Sequence, residues 1–411
     1  MSTQLRTLDD LGVSGKTVLL RADLNVPLHT VQQGATTEVQ VGDDKRIRAS
    51  IPTINWLRDR GARVVILAHL GRPKGKPDPA LSLRPVAARL SELLGAPVLM
   101  AADVSGPAVE ELVASMAPGD VALLENVRFD PRETSKDERE RTELAQEWAE
   151  LGNCLVSDGF GVVHREQASV TDLALQLPAV AGLLVAKEVA AFDEVLGDPA
   201  RPYSVVLGGS KVADKLKVVG NLLPRVDRLI IGGGMCFTFL AAQGLQIGGS
   251  LVELDQIDAV SDCIAQAAER GVALLLPTDV VIARQISADA ETKIVDMADG
   301  IPDGWMGLDI GPRTAATFAK AIRSSATVVW NGPMGVFEVE PFAAGTRAVA
   351  EAMTHVGGTS VVGGGDSAAA LHELGIDESA ITHISTGGGA SLELLEGRTL
   401  PGLAVLRRDD T

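Results

Sequence analysis

Aromatic side chains make up only 3% of this 411-residue chain, with a single tyrosine. That scarcity argues against a base-stacking platform for single-stranded nucleic acid. Positive charge is also short: 37 Lys and Arg stand against 54 Asp and Glu, a formal net charge of -17. A field of that sign opposes polyanions, so neither nucleic acid nor an acidic membrane surface is an expected partner. Cys154, Cys236 and Cys263 lie far apart with no CxxC pairing. They read as reduced, buried residues of a cytoplasmic protein rather than as metal ligands. No apolar run is long enough to span a bilayer, and residues 1–10 lack a basic start followed by an apolar stretch, so no secretory signal is read.

What is present is ordinary globular composition, 46% hydrophobic and 22% charged, plus 43 glycines that cluster rather than scatter. The length exceeds one core and predicts two domains. Short β-branched runs predict strands near 17–20, 63–68, 98–100, 121–124 and 154–157, then 204–207, 228–231, 273–276, 327–330 and 359–362. Helical periodicity falls between them, as at 83–94, 138–151 and 255–270. This alternation predicts an α/β chain of two Rossmann-like domains, each a parallel sheet covered by helices on both faces. A helix within 181–197 reads as the hinge between residues 1–180 and 198–394. Residues 30–44 are polar and irregular and read as a loop or hairpin excursion.

In open α/β sheets ligands bind beyond the carboxyl ends of the strands, so the residues after each strand carry the functional reading. In the second half they are glycine-rich: Gly208-Gly209-Ser210-Lys211, Gly232-Gly233-Gly234, Asn331-Gly332-Pro333, Gly363-Gly364-Gly365-Asp366-Ser367 and Gly387-Gly388-Gly389-Ala390-Ser391. One such turn is as often mere packing as a ligand site. Five on one edge point to close backbone approach and helix-start amides, which suit nucleotide phosphates. The first half differs. Its strands run into Arg21-Ala22-Asp23-Leu24-Asn25, His69-Leu70-Gly71-Arg72, Glu125-Asn126-Val127-Arg128 and Asp158 through His164-Arg165. A lone arginine is more often a solvated surface residue. Arg72, Arg128, Arg165, His69 and His164 on one edge form the local positive cluster that an anionic ligand needs in an acidic chain.

Other signals fail. Gly15-Lys16-Thr17 has Asp10 where a phosphate loop needs its first glycine, and it precedes a strand instead of following one. No GxGxxG opens the first strand–helix unit, no GxSxG elbow exists, and the histidines lack metal-ligand spacing.

The blocks Val18 to Pro27, His69 to Pro73, Glu125 to Phe129, Gly208 to Lys215, Trp330 to Glu338, Gly363 to Ser367 and Ser385 to Ser391 resemble those of phosphoglycerate kinases, in order and over essentially the whole chain. The resemblance implies reversible phosphoryl transfer between 1,3-bisphosphoglycerate and ADP, giving 3-phosphoglycerate and ATP. It implies that Asp23, Asn25, Arg46, His69, Arg72, Arg128 and Arg165 hold the phosphoglycerate. Lys211, Lys215, Gly233, Gly311, Asn331, Glu338, Gly364, Gly365, Asp366 and Ser367 would serve the nucleotide, with Asp366 placed for Mg²⁺. Catalytic roles fall to Arg46, Lys211, Gly365 and Gly388. A monomer is implied, with residues 395–411 returning to the first domain.

In the ATP-consuming direction the nucleophile is a carboxylate, which needs no general base, so transfer rests on positioning and charge neutralisation. Three departures from the family pattern stand out. Gln167 occupies a position that is commonly histidine, Ser367 one that is commonly threonine, and the 30–44 excursion before Arg46 is long. Rival readings are a kinase for another small carboxylate and a non-catalytic protein that kept the fold. Intact glycine turns and Lys211 weigh against the second.

Overall fold

The computed structural model describes residues 4–33 and 36–408. Two compact units emerge, Met1–Ala190 with Thr399–Thr411, and Ala191–Arg398. The chain first passes between them inside the helix Leu183–Leu196.

The first unit is built on a six-stranded sheet whose order is Val98–Met100, Val121–Leu123, Arg63–Leu67, Thr17–Ala22, Cys154–Asp158, Ala179–Ala181. All its pairings are parallel. Central strands covered on both faces must be apolar throughout, and Val18, Leu19, Leu20, Val64, Val65 and Ile66 are fully buried. The excursion near residue 30 is a hairpin, Leu28–Gln33 against Thr36–Val41, leading into the helix Lys45–Arg58. The edge strand Ala179–Ala181 escapes sequence reading because three residues after Pro178 carry no pattern.

The second unit has a parallel sheet in the order Ala273–Leu275, Arg228–Ile231, Tyr203–Leu207, Thr327–Asn331, Thr359–Gly363, His383–Ile384. Counted in chain order this is 3-2-1-4-5-6, the doubly wound order of dinucleotide-binding folds. Beside it lies an antiparallel sheet that the sequence reading did not contain: Lys293–Asp296, Asp279–Ala283 and Met306–Ile310. Buried Asp279 joins this sheet to the helix Pro312–Arg323, accepting from the backbone of Arg313 at 3.1 Å and Thr314 at 2.8 Å.

The C-terminal segment is anchored in the first unit. Arg6 N–H donates to Leu406 at 2.9 Å, Arg408 N–H to Gln4 at 3.0 Å, and Gly402 N–H to Val163 at 2.8 Å. The last contact ties the segment to the turn that carries Arg165.

The strand Cys154–Asp158 ends in a carboxylate that caps the helix Leu183–Leu196, accepting from Leu184 N–H at 2.9 Å and Val185 N–H at 3.3 Å. Burial nonetheless pushes the Asp158 carboxyl up to about 7, whereas the unfolded chain ionises near 3.8. Between those two values the folded state holds the proton more tightly, so this residue's contribution to stability is lost as pH rises through the window. Asp158→Asn should remove that slope, worth on the order of 4 kcal/mol between about pH 4 and pH 7, in urea unfolding titrations. An unchanged slope would show that Asp158 ionises normally in the fold.

Candidate functional site

Ligands of such sheets sit beyond the carboxyl ends of the strands, where the strand order reverses. In the first unit the central reversal lies between Thr17–Ala22 and Cys154–Asp158. Asp23 and Asn25 follow the former strand, and Arg165 the latter. His69 and Arg72 follow Arg63–Leu67, and Arg128 follows Val121–Leu123.

A chain of hydrogen bonds draws these turns together. Arg46, from the first turn of its helix, donates to Asp23 Oδ2 at 2.8 Å. Asp23 Oδ1 accepts from Asn25 N–H at 3.2 Å, and Asn25 Oδ1 accepts from Gly71 N–H at 2.8 Å. Gly71 C=O in turn accepts from Arg128 at 2.8 Å. Arg72, Lys74, Arg128, Arg165 and Gln167 line a cavity of about 460 Å³. The Nε of Arg128 and the Oε1 of Gln167 are buried there with no hydrogen-bond partner among the described residues.

The electrostatics confirm the crowding. His69 is buried, and its pKa falls well below the ordinary imidazole value through burial first, then through Arg21, Arg128, Arg46 and Arg165. Arg128 is lowered to about 10 by burial and then by Arg21. Four guanidinium groups therefore act on one ring. Asp23, Asn25, Arg46 and His69 are not walls of the cavity but belong to the network behind it.

In the second unit the reversal lies between Tyr203–Leu207 and Thr327–Asn331. A cavity of about 220 Å³ opens there, lined by Lys211, Lys215, Asn331, Asp366, Ser367 and the turn glycines. Lys215 Nζ donates to Asn331 Oδ1, and burial lowers the Lys215 pKa. Ser367 Oγ accepts from Gly332 N–H at 2.7 Å, locking two turns together. The helices Gly365–Glu373 and Gly389–Leu395 both begin at this cavity. A second cavity of about 490 Å³ has an apolar wall from Phe237, Leu251, Ile286, Leu308, Met334 and Val336. It shares Gly209, Ser210 and Asp366 with the first, and Gly233 and Glu338 also line it. Polar backbone at one end and an apolar slot at the other suit a phosphate chain joined to a flat ring. Gly311 lines neither cavity; its N–H donates to Asp279 C=O at 2.8 Å, at the start of a helix.

The model of the phosphoglycerate kinase family matches residues 8–398. The chain belongs to the phosphoglycerate kinase family. It is 58% identical to the phosphoglycerate kinase of Clavibacter michiganensis, covering 98% of this chain and 99% of that one. It is 58% identical to the Frankia alni phosphoglycerate kinase, covering 98% of this chain and all of the other. The phosphoglycerate kinase structure from Coxiella burnetii superposes with a TM-score of 0.85 at 40% identity, covering 98% of this chain and 99% of that one. That from Pyrococcus horikoshii gives 0.84 at 33% identity, covering 98% of both chains.

Phosphoglycerate kinases are phosphotransferases with a carboxyl group as acceptor, and the glycolytic reaction between 1,3-bisphosphoglycerate and ADP follows for this chain. Among the described residues no helix is long and apolar enough to cross a membrane. Sequence reading of strand ends reached most of the polar residues of both cavities. It missed Lys74 and, apart from Met334 and Val336 in the Trp330 to Glu338 block, the apolar wall, which comes partly from the unread antiparallel sheet.

Gly364 holds φ at +91°, and an added Cβ would sit 2.9 Å from Asn331 Nδ2. Gly388 also has positive φ, +50°, but faces open space. Gly364→Ala should therefore cost more stability than Gly388→Ala, about 1–3 kcal/mol for the former, by thermal unfolding. Equal losses would mean that backbone strain alone, not the Asn331 contact, governs the turn.

Proposed function

We propose that the first unit binds phosphoglycerate and the second binds the adenine nucleotide, as one soluble, cytoplasmic, monomeric enzyme. The observation that carries this reading is the contrast between the two sheet edges: guanidinium groups crowd one and glycine turns with lysine crowd the other. Arg72, Arg128 and Arg165 would meet the phosphate and carboxylate, with bidentate guanidinium geometry suited to both. Asp23 and Asn25 would orient the substrate and Arg46, and His69 would add a donor. On the other side Lys211, Lys215, Asn331 and Ser367 would hold phosphates. Gly233, Glu338 and the turn near Gly311 would flank the nucleoside.

A hard divalent cation suits the donor set here. Mg²⁺ keeps several waters and takes one or two carboxylates plus nucleotide phosphates, rather than an all-protein cage. Asp366 offers one exposed carboxylate at the border of both nucleotide cavities. Mg²⁺ bound there would neutralise phosphate charge.

The protein's own share of the chemistry is positional. A 3-phosphoglycerate carboxylate is ionised at neutral pH, so no side chain has to remove a proton before attack. The transferring group gathers negative charge on its equatorial oxygens, and Arg46, Lys211 and the helix-start amides of Gly365 and Gly388 would meet it. In-line transfer requires the two substrates to meet, so we infer closure about the helix Leu183–Leu196, which would also exclude water from the acyl phosphate.

Arg46→Ala and Lys211→Ala should each slow turnover with both substrates saturating by about 3–4 kcal/mol of barrier, in a coupled assay with 3-phosphoglycerate and ATP·Mg. Near-normal turnover in both would sink the charge-stabilising assignment. Inactivity of the wild type on 3-phosphoglycerate, with nucleotide binding intact, would favour a kinase for another carboxylate. Small-angle scattering should show a smaller radius of gyration with both substrates than with either alone; an unchanged radius would refute closure.

A further inference from the structure

Arg21 takes no part in the cavities, yet it is the fully buried cation at the centre of the first unit's site. It lies in the strand Thr17–Ala22, where the inward position would ordinarily hold an aliphatic side chain. Burying a guanidinium costs several kcal/mol unless its donors are engaged. They are. Arg21 Nε donates to Ser169 Oγ at 2.7 Å, and Ser169 Oγ donates to Glu133 Oε1 at 2.6 Å. Glu133 is itself fully buried, and its other oxygen accepts from Ser169 N–H at 2.9 Å. Arg21 also donates to the carbonyls of Ala22 and Leu67. The remaining arm, Nη2, points at His69 Nδ1 from 3.3 Å.

The polarity of this chain is fixed by chemistry. Guanidinium has five donors and no acceptor, so the His69 nitrogen that faces it must present a lone pair. A hydroxyl has one proton, and with Arg21 donating to it, Ser169 sends that proton to Glu133. We propose that Arg21, braced through Ser169 on Glu133, is a positioning residue that fixes His69 with its proton on Nε2, as a permanent donor to the anionic substrate. The proposal rests on the reading that His69 serves the phosphoglycerate.

The surroundings oppose a second proton on the ring from every side. Arg21 faces it from its strand, Arg46 from the helix Lys45–Arg58, and Arg128 and Arg165 from the turns after Val121–Leu123 and Cys154–Asp158. Asp23 is engaged by Arg46, and Glu133 lies behind Ser169, so neither carboxylate is bonded to the ring. His69 therefore acts as a neutral donor, and substrate charge is met by the arginines and Lys74 that line the cavity. Gln167, a neutral amide, keeps to the same pattern.

The test is ¹⁵N NMR of the histidine rings in the full-length protein, with His69 assigned by its loss in His69→Gln. The expected wild-type signature is an Nε2–H ring that does not titrate from about pH 6 to pH 8 and whose Nε2 signal moves on adding 3-phosphoglycerate. Arg21→Met should mix the tautomers and raise the KM for 3-phosphoglycerate about tenfold, with little change in kcat. Ser169→Ala, the milder change should Arg21→Met not fold, should shift the tautomer ratio in the same direction. An Nδ1–H or doubly protonated His69 in the wild type would overturn the proposal without any variant. So would an unaltered ring in the folded variants. A fixed Nε2–H ring that ignores saturating 3-phosphoglycerate would instead remove His69 from the substrate site, and with it the assignment on which the donor role depends.

Discussion

The first unit depends on keeping like charges together out of water. Arg21, Arg46, Arg128 and Arg165 all depress the protonation of one buried imidazole, and Arg21 and Arg128 are themselves pushed down by burial. Such a cluster is unfavourable in an empty fold. What makes it tolerable is the set of compensations built around it: Asp23 against Arg46, Glu133 through Ser169 against Arg21, and carbonyls of Gly71, Ala22 and Leu67 as acceptors. These leave a remainder of positive field over the cavity. On the proposed assignment, an anion carrying phosphate and carboxylate would meet that remainder, and removing charge from water in a cavity would strengthen the interaction. The acidity of the rest of the chain then has a consequence. A net charge of -17 repels anions over most of the surface, so attraction is confined to the place where the arginines gather.

As the proposed nucleotide site, the second unit would solve a related problem with backbone instead of side chains. Nucleotide phosphates need many donors at close range, and side-chain cations alone would bring bulk and mobility. Helix starts supply oriented N–H groups, while glycine lets the chain come near. Cross-links between turns hold the arrangement without occupying it: Gly332 N–H on Ser367 Oγ, Gly208 N–H on Asn331 C=O at 2.9 Å, and Lys215 on Asn331. Asn331 is thus both the end of a central strand and the post against which two neighbouring turns are set. This accounts for the tight space around Gly364, where the backbone geometry and the amide of Asn331 are adjusted to one another.

How far the sequence reveals this depends on where each residue sits. Parallel strands such as Arg63–Leu67 and Thr327–Asn331 are buried on both faces, so their apolar runs stand out and their ends can be found within a residue or two. Residues that follow those ends were therefore legible. Arg46 came only from the family resemblance, because it belongs to a helix and reaches the site through its ion pair with Asp23, a contact 23 positions apart in the chain. The apolar wall beside Gly233 was not legible, because Met306–Ile310 and its partners form a small antiparallel sheet interrupted by Gly307 and Asp309. Gln167 was visible as a chemical departure. Its burial and its unpaired oxygen were not.

Arg21 is the most instructive residue on that scale. Its strand pattern says core, its chemistry says surface, and the motif around it invites assignment to the substrate. The first reading matches its burial and the second does not. It is a cation held wholly inside, with its arms divided between a serine, two carbonyls and an imidazole. An interior lysine would give up its proton more readily and could not hold four partners in a plane, so the position asks for guanidinium specifically. A polar group in a core strand is tolerated when every donor has a partner, and each of those partners is then oriented in return. In this unit the oriented partner is His69, just beyond the carboxyl end of the neighbouring strand Arg63–Leu67. The cost of burying one charge is thereby converted into the fixed direction of one proton.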